Sequence, residues 1–233
     1  MEPLTASIAK KVGEQATDVL RKESETFLNA VLGEPAKALG GLIADRINAR
    51  RHANLVTITV EAKRKLDAAG VSPREVPLKI IHPMIEAASL EEDPDMQTRW
   101  ANLLANAADP YAEALPPSFP RILSEMSSRE ARFLDRLYEH LSEAASQSTP
   151  PLELVFAKPL HWGDLLTLCP KGAAFDIDAF KIDLDSLLRL RLLGMEAALG
   201  SISFDRGISV AEDNEIYRLT SFGLLFVRTC RPK

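Results

Sequence analysis

The run Asp95-Met96-Gln97-Thr98-Arg99-Trp100-Ala101-Asn102-Leu103-Leu104-Ala105-Asn106-Ala107-Ala108 decides the fold class. Trp100, Leu103, Leu104 and Ala107 recur at spacings of three and four, the period of a helix with one buried face. A polar break, Glu91-Glu92-Asp93-Pro94, precedes the run, and Asp109-Pro110 ends it. Trp100 belongs to the core on this reading. Arg99, Asn102 and Asn106 share a flank of the same helix. Asn is a mediocre helix former, so two in one helix need a reason. They read either as a polar contact surface for a partner or as hydrogen-bonding groups that lock this helix to its neighbours.

Helical patterning continues toward the N-terminus. Ile8, Val12, Ala16, Val19, Leu20, Phe27 and Val31 make residues 4–32 an amphipathic helix. Gly33 and Pro35 stop it and open a second helix that runs to about Ala69, with Gly70 as its stop. Val56-Thr57-Ile58-Thr59-Val60 has strand propensity, but good helix formers flank it on both sides. A third helix covers about 77–88, with Pro83 expected to kink or split it. The Pro-rich stretch 115–120 is the expected boundary, giving a helical domain over 1–115 and a second domain over 116–233.

Beyond that boundary the pattern changes. Ser127-Ser128-Arg129-Glu130 is a capping box that opens a helix carrying Leu134, Leu137, Tyr138 and Leu141. Trp162–Leu168 reads as a short helix. Ile177–Leu193 reads as a longer one, interrupted near Asp183 and closed by Gly194. Met195–Phe204 and Glu215–Leu219 read as two strands joined by a turn-rich loop. Leu219–Phe226 is an amphipathic closing segment. The fold class expected is mainly α: an N-terminal helical bundle followed by a C-terminal α+β domain.

The 233 residues are 46% apolar and 26% charged, ordinary for a globular chain. No apolar stretch approaches the roughly 20 residues of a membrane-spanning helix. Met1-Glu2-Pro3 opens without a signal-peptide pattern, and two cysteines imply no disulfide framework. A cytoplasmic location is the expectation. Residues 1–70 hold 11 basic and 9 acidic side chains, 71–150 hold 7 and 13, and 151–233 hold 10 and 11. No segment is strongly basic, which argues against general nucleic-acid binding.

Two resemblances carry further expectations. Pro73-Arg74-Glu75-Val76-Pro77-Leu78-Lys79-Ile80, then Ala88-Ser89-Leu90-Glu91-Glu92-Asp93, then Trp100–Ala107, resemble the bacterial abortive infection alpha family. That resemblance implies a part in phage resistance by abortive infection and transfers no catalytic residue. The helix order after residue 127, the paired strands and Leu219-Thr220-x-x-Gly223-x-x-Phe226 are similar to a winged helix. Winged helices read DNA when the third helix is basic. Here that segment carries Asp176, Asp178, Asp183 and Asp185 against Lys181, Arg189 and Arg191, an acidic surface that phosphates repel.

No catalytic constellation stands out, and neither an enzyme activity nor a cofactor is expected. His82 and Glu86 have a two-ligand metal spacing but no third ligand nearby in sequence. His161 and Asp164 lack a nucleophile and read as helix caps. Cys169, with Lys171 as its one nearby base, reads as structural. The basic cluster Arg46, Arg50, Arg51, followed by Lys63, Arg64 and Lys65, is the strongest positive feature. Expected partner-contacting residues are therefore Arg46, Arg50, Arg51, Arg99, Asn102 and Asn106, with protein contact or self-association in a phage-resistance response as the leading function. The alternatives are a winged-helix transcription regulator using Lys181, Arg189 and Arg191, and a membrane-disrupting toxin acting through the N-terminal helices. Acidic Glu14, Asp18, Glu23 and Glu25 on the polar face of residues 4–32 disfavour the last.

Overall fold

The computed structural model describes residues 18–31, 49–146, 158–169, 175–197 and 215–231. Its backbone contacts divide the chain after Glu125 into two units, the second spanning Met126–Arg231.

The first unit holds five described helices: α1 (18–31), α2 (Ala49–Ala68), α3 (Leu78–Ala88), α4 (Pro94–Ala108) and α5 (Phe119–Glu125). Val56–Val60 lies inside α2, so flanking helix propensity outweighs the local β-branched run. Gly70, at φ 67°, ends α2. Its N–H bonds to the Asp67 carbonyl and that of Val71 to the Leu66 carbonyl, the paired bonds of a Schellman motif. The part of the second expected helix before residue 49 lies outside the described residues. So does the part of the first before residue 18.

Pro83 sits within α3 without splitting it. Asp93 caps α4, accepting from the N–H groups of Asp95 and Met96, with Pro94 at the first helical position. The sequence read 115–120 as a linker, yet α5 starts at Phe119 and packs on α3. Phe119 and Leu123 are fully buried, so the division falls at 125/126, ten residues later than expected. Pro116 and Pro117 just before α5, and Pro120 in its first turn, mask it in the sequence.

Leu55, Ile58, Ala62 and Leu66 of α2 face α4, with Ile81, Met84 and Ile85 of α3 closing the core. Ser24 and Thr59 share a buried 2.7 Å hydrogen bond that ties α1 to α2. From Arg99 to Ala108 only Asn106 escapes full burial. The amphipathic pattern understates α4, which is enclosed on nearly every side.

The second unit comprises α6 (Ser128–Ser146), β1 (Leu160–His161), α7 (Trp162–Thr167), α8 (Ile177–Arg189), β2 (Leu193–Ala197), β3 (Glu215–Leu219) and α9 (Ser221–Cys230). The capping box forms as expected: the Glu130 carboxylate accepts from the Ser127 N–H, and the Ser127 hydroxyl from the Glu130 N–H. The antiparallel sheet has three strands, not two, in the order β1-β3-β2, with Leu160 opposite Tyr217 and Met195 opposite Tyr217 on the other side. A two-residue strand offers no periodicity to read.

Two expectations for α8 fail. It is unbroken at Asp183, whose carboxylate is buried and held by the Arg129 guanidinium of α6, one of its bonds being 2.7 Å. Gly194 does not close it either, because it lies in β2 opposite Arg218. The turn is made by Arg191 at φ 60°, with Arg191 N–H bonding to Leu188 O and Leu192 N–H to Leu187 O. This is the same Schellman geometry that Gly70 supplies to α2. Residues 198–214, where the long strand and its loop were expected, lie outside the described residues.

Thr220 caps α9, its hydroxyl accepting from the Gly223 N–H at 2.8 Å. The Thr220 N–H and hydroxyl also reach the Leu192 carbonyl. That brings Gly223 so near Leu192 that a Cβ on it would lie 2.1 Å from the carbonyl oxygen. Glycine is therefore required there by close approach.

Candidate functional site

The basic cluster of the first unit is tied down. Arg46 lies outside the described residues. Arg50 forms a two-pronged ion pair with Glu92, both contacts 2.8 Å. Arg51 donates from Nε and Nη2 to the Ser89 hydroxyl at 3.1 and 2.9 Å. Asn54 Nδ2 donates to the Ser89 carbonyl, and Gln97 Nε2 to the Glu91 carbonyl. The bonds from Arg50, Arg51 and Asn54 fasten the turn between α3 and α4 to the start of α2, and that from Gln97 ties it to α4. Arg50 thus faces a carboxylate of the chain's own turn and Arg51 a hydroxyl of it, while Lys63, Arg64 and Lys65 pair with Asp67 and Glu61 of α2 itself.

Arg99 and Asn102 are interior residues, 4% and 5% exposed. Asn106 is half-buried, and its Nδ2 donates to the Asn102 carbonyl at 2.9 Å, a bond within α4. Trp100 is 1% exposed, as its place on the apolar face predicts. Its indole Nε1 has no hydrogen-bond partner among the described residues. Trp100 also lines an open hollow of about 600 Å³, with Arg51, Pro83, Glu86, Leu90 and Ser124 among its other walls.

The His82 and Glu86 side chains approach to 3.8 Å. Among the described residues no three His, Cys, Asp or Glu side chains group as a metal site would. The Asp164 carboxylate caps α7 by accepting from the His161 N–H at 2.9 Å. Cys169 is buried, its Sγ 3.5 Å from the Leu165 carbonyl, and burial pushes its thiol above the usual range. A group held in the thiol form is a poor nucleophile. No described helix is long and apolar enough to cross a membrane.

The second unit presents a different surface. Asp178, Lys181, Ile182, Asp185 and Arg189 are all exposed on α8. At 100° per residue they fall within about 100° of arc, one continuous face. Ile182, 67% exposed, stands at one edge of that arc and Lys181 at the other. Asp178 stands in the first turn and Arg189 in the last, each matched to the helix dipole. The opposite side of α8, with Phe180, Asp183, Leu184 and Leu187, is buried. Phe180 meets Phe133 edge to face at 5.1 Å. Arg191, also exposed, belongs to the turn after α8 rather than to this face.

Sequence reasoning noticed the acids of α8 and passed over Ile182. The signal was present. Phe180, Leu184 and Leu187 define the buried stripe, and Ile182 sits about 200° from Phe180, on the polar side.

No curated protein and no solved structure matches the chain. A family model does match, over residues 51–230, which runs from the first turn of α2 to the end of α9 and reaches into both units. The motif residues from Pro73 to Ala107 lie within the matched span, and the chain belongs to the abortive infection alpha family.

Proposed function

We propose that the protein acts in phage resistance by abortive infection, catalyses no reaction, and works through a protein-contacting surface on the outer face of α8. The family supplies the biological setting. The observation that carries the mechanism is Ile182, 67% exposed between two acids and two bases. An exposed apolar residue beside mixed charge suits a protein surface, where apolar contact supplies affinity and charge supplies register. The buried Cys169 thiol and the capping roles of Asp164 and Glu130 fit a scaffold better than an active site.

The test is a phage challenge of cells with the gene, without it, and with Ile182→Glu at equal protein abundance. Plaque counts are expected to fall with the wild-type gene and to recover with the variant. Equal counts in all three strains across a broad phage panel would remove the defence reading. Full protection by Ile182→Glu would remove the role of this face.

A second reading, a winged-helix DNA-binding regulator, draws on the order α6-β1-α7-α8-β2-β3 with β3 central in its sheet. α8 then takes the place of a recognition helix, with Lys181, Arg189 and Arg191 exposed. Asp178 and Asp185 cancel that charge on the same side, which disfavours approach to phosphate. A mobility shift with the upstream DNA at stated salt, lost on Lys181→Ala and Arg189→Ala, would favour this reading over ours.

A further inference from the structure

We propose that the hollow lined by Trp100, in the first unit, binds a small molecule with an aromatic ring and an amide group, as a carboxamide or a lactam. The ligand's carbonyl accepts from the Trp100 indole N–H, and its own N–H donates to the Glu86 carboxylate. The site lies on α2 to α5 and does not depend on the outer face of α8.

An orphaned donor marks the place. Trp100 is 1% exposed, and its Nε1 has no hydrogen-bond partner among the described residues. Buried donors without an acceptor are costly and few in folded proteins, so each one points to a missing partner.

There is room for that partner. The hollow measures about 600 Å³, inside the range of roughly 300–1,000 Å³ typical of small-molecule sites. Pro83 and Ala87 of α3, with Leu90 just past its end, give it an apolar wall on which a flat ring can lie. Leu90 is 64% exposed, so its side chain is free to swing and widen the way to the covered indole.

The polar groups of the rim select the ligand. Arg51 donates twice to the Ser89 hydroxyl. The Glu91 carboxylate accepts from the N–H groups of Glu92 and Asp93, both at 3.0 Å. The Ser124 hydroxyl donates to the Arg121 carbonyl at 2.8 Å. Those groups serve the chain's own turns. The Glu86 side chain is 60% exposed, and His82 comes no nearer than 3.8 Å, too far for a hydrogen bond. The hollow thus offers a donor at its base and an anionic acceptor at its rim. An amide is the neutral group that supplies the complement of both. A carboxylate would be repelled by Glu86, and a ketone would leave it unmatched.

The test uses the full chain labelled with nitrogen-15, and benzamide as the probe. Trp100 and Trp162 are the two tryptophans, so the spectrum holds two indole N–H signals. Trp162→Phe, in the second unit, identifies the Trp100 signal. Benzamide is expected to move that signal downfield, saturably, with a dissociation constant of about 1 mM, the range open to so small a probe. The Trp162 signal is expected to stay in place. Acetophenone, which has the carbonyl and no N–H, is expected to bind about tenfold more weakly. Benzoate, and N-methylacetamide, which is an amide without a ring, are expected to give no saturable shift.

Two variants locate the effect. Ala87→Phe fills the apolar side of the hollow and is expected to abolish the shift, with the backbone amide spectrum showing that the chain is folded. Glu86→Ala, at the exposed rim, is expected to weaken benzamide about tenfold and leave acetophenone unchanged. That change of preference is one that a merely structural role for Glu86 does not produce, and it decides the matter if Ala87→Phe fails to fold.

An indole satisfied by water alone predicts no saturable shift with benzamide, and that result would overturn the proposal. So would equal shifts of both indole signals, benzoate or N-methylacetamide binding as well as benzamide, or Glu86→Ala retaining the wild-type preference for benzamide over acetophenone.

Discussion

Helices α4 and α8 are both amphipathic and both mix Ala and Leu with charged and polar residues, yet they place their polar groups in opposite ways. In α4, Arg99 and Asn102 are inside the first unit. In α8, Asp178, Lys181, Asp185 and Arg189 are outside, with Ile182 among them. Periodicity reports how side chains are arranged around one helix. It does not report how many neighbours that helix has. α4 packs against α2 and α3 and is enclosed, so its polar flank is interior and must find its partners there. α8 packs on α6 and β2 and keeps one side to solvent. A polar flank on a central helix is part of the core, whereas the same flank on a peripheral helix is a surface.

The largest expected effect tests what holds the second unit in shape. Gly223→Ala would place a Cβ 2.1 Å from the Leu192 carbonyl oxygen, a backbone atom that the Thr220 N–H and hydroxyl already hold. Relief requires α9 to move off the turn between α8 and β2. A loss of about 3 kcal/mol or more is expected, at the upper end of overpacking costs. Gly163→Ala, with nothing within 4 Å of the added carbon, is the control and should stay within about 0.5 kcal/mol. Urea unfolding of both variants reads the difference. Equal midpoints would mean that α9 leaves room for a side chain beside Leu192.

The comparison itself is tested by an inversion of the ordinary rule that isoleucine matters to stability and arginine does not. Arg99→Ala, at 4% exposure, removes a buried guanidinium and its stem, leaving a cavity and unmatched groups. About 2–4 kcal/mol should be lost. Ile182→Ala, at 67% exposure, should change the unfolding free energy by less than about 0.5 kcal/mol at a concentration where the chain is monomeric. The reverse order of the two midpoints would break the assignment of core and surface to these helices.

Much of the fold was legible because its signals are local. Gly70 after Ala69, Asp93 before Pro94, and Ser127 three residues before Glu130 each mark a helix end by chemistry that acts within one turn. What was not legible depends on distant residues. Asp183 looks like a break in α8 until Arg129, 54 positions away, satisfies it. β1 exists because Leu160 pairs with Tyr217 across more than fifty residues. α5 was hidden by prolines that read as a linker until Phe119 and Leu123 are seen buried. The candidate contact residues misled for the same reason. Arg50 and Arg51 look like a free basic patch until Glu92 and Ser89 come back to meet them.

The smallest expected effect compares the two helix ends that share one geometry. Gly70 after α2 and Arg191 after α8 both adopt left-handed backbone and both close a Schellman motif. An L side chain there costs roughly 1–2 kcal/mol, which glycine avoids. Replacing Arg191 by glycine also loosens the unfolded chain, which takes back about 0.4–1 kcal/mol. Arg191→Gly should therefore stabilise the protein by about 0.5 kcal/mol. By the same two terms Gly70→Ala should cost about 0.5 kcal/mol, since the added methyl strains the backbone, stiffens the unfolded chain and has no atom within 4 Å to pack against. Chemical denaturation of the two variants, repeated until tenths of a kcal/mol are resolved, reads the pair. Greater stability of Arg191→Gly would show that arginine is carried in this turn at a cost to the fold. Binding measurements on that variant would then show whether the exposed guanidinium is kept for contact. If Arg191→Gly is instead destabilising, the guanidinium contributes to the fold of the turn between α8 and β2.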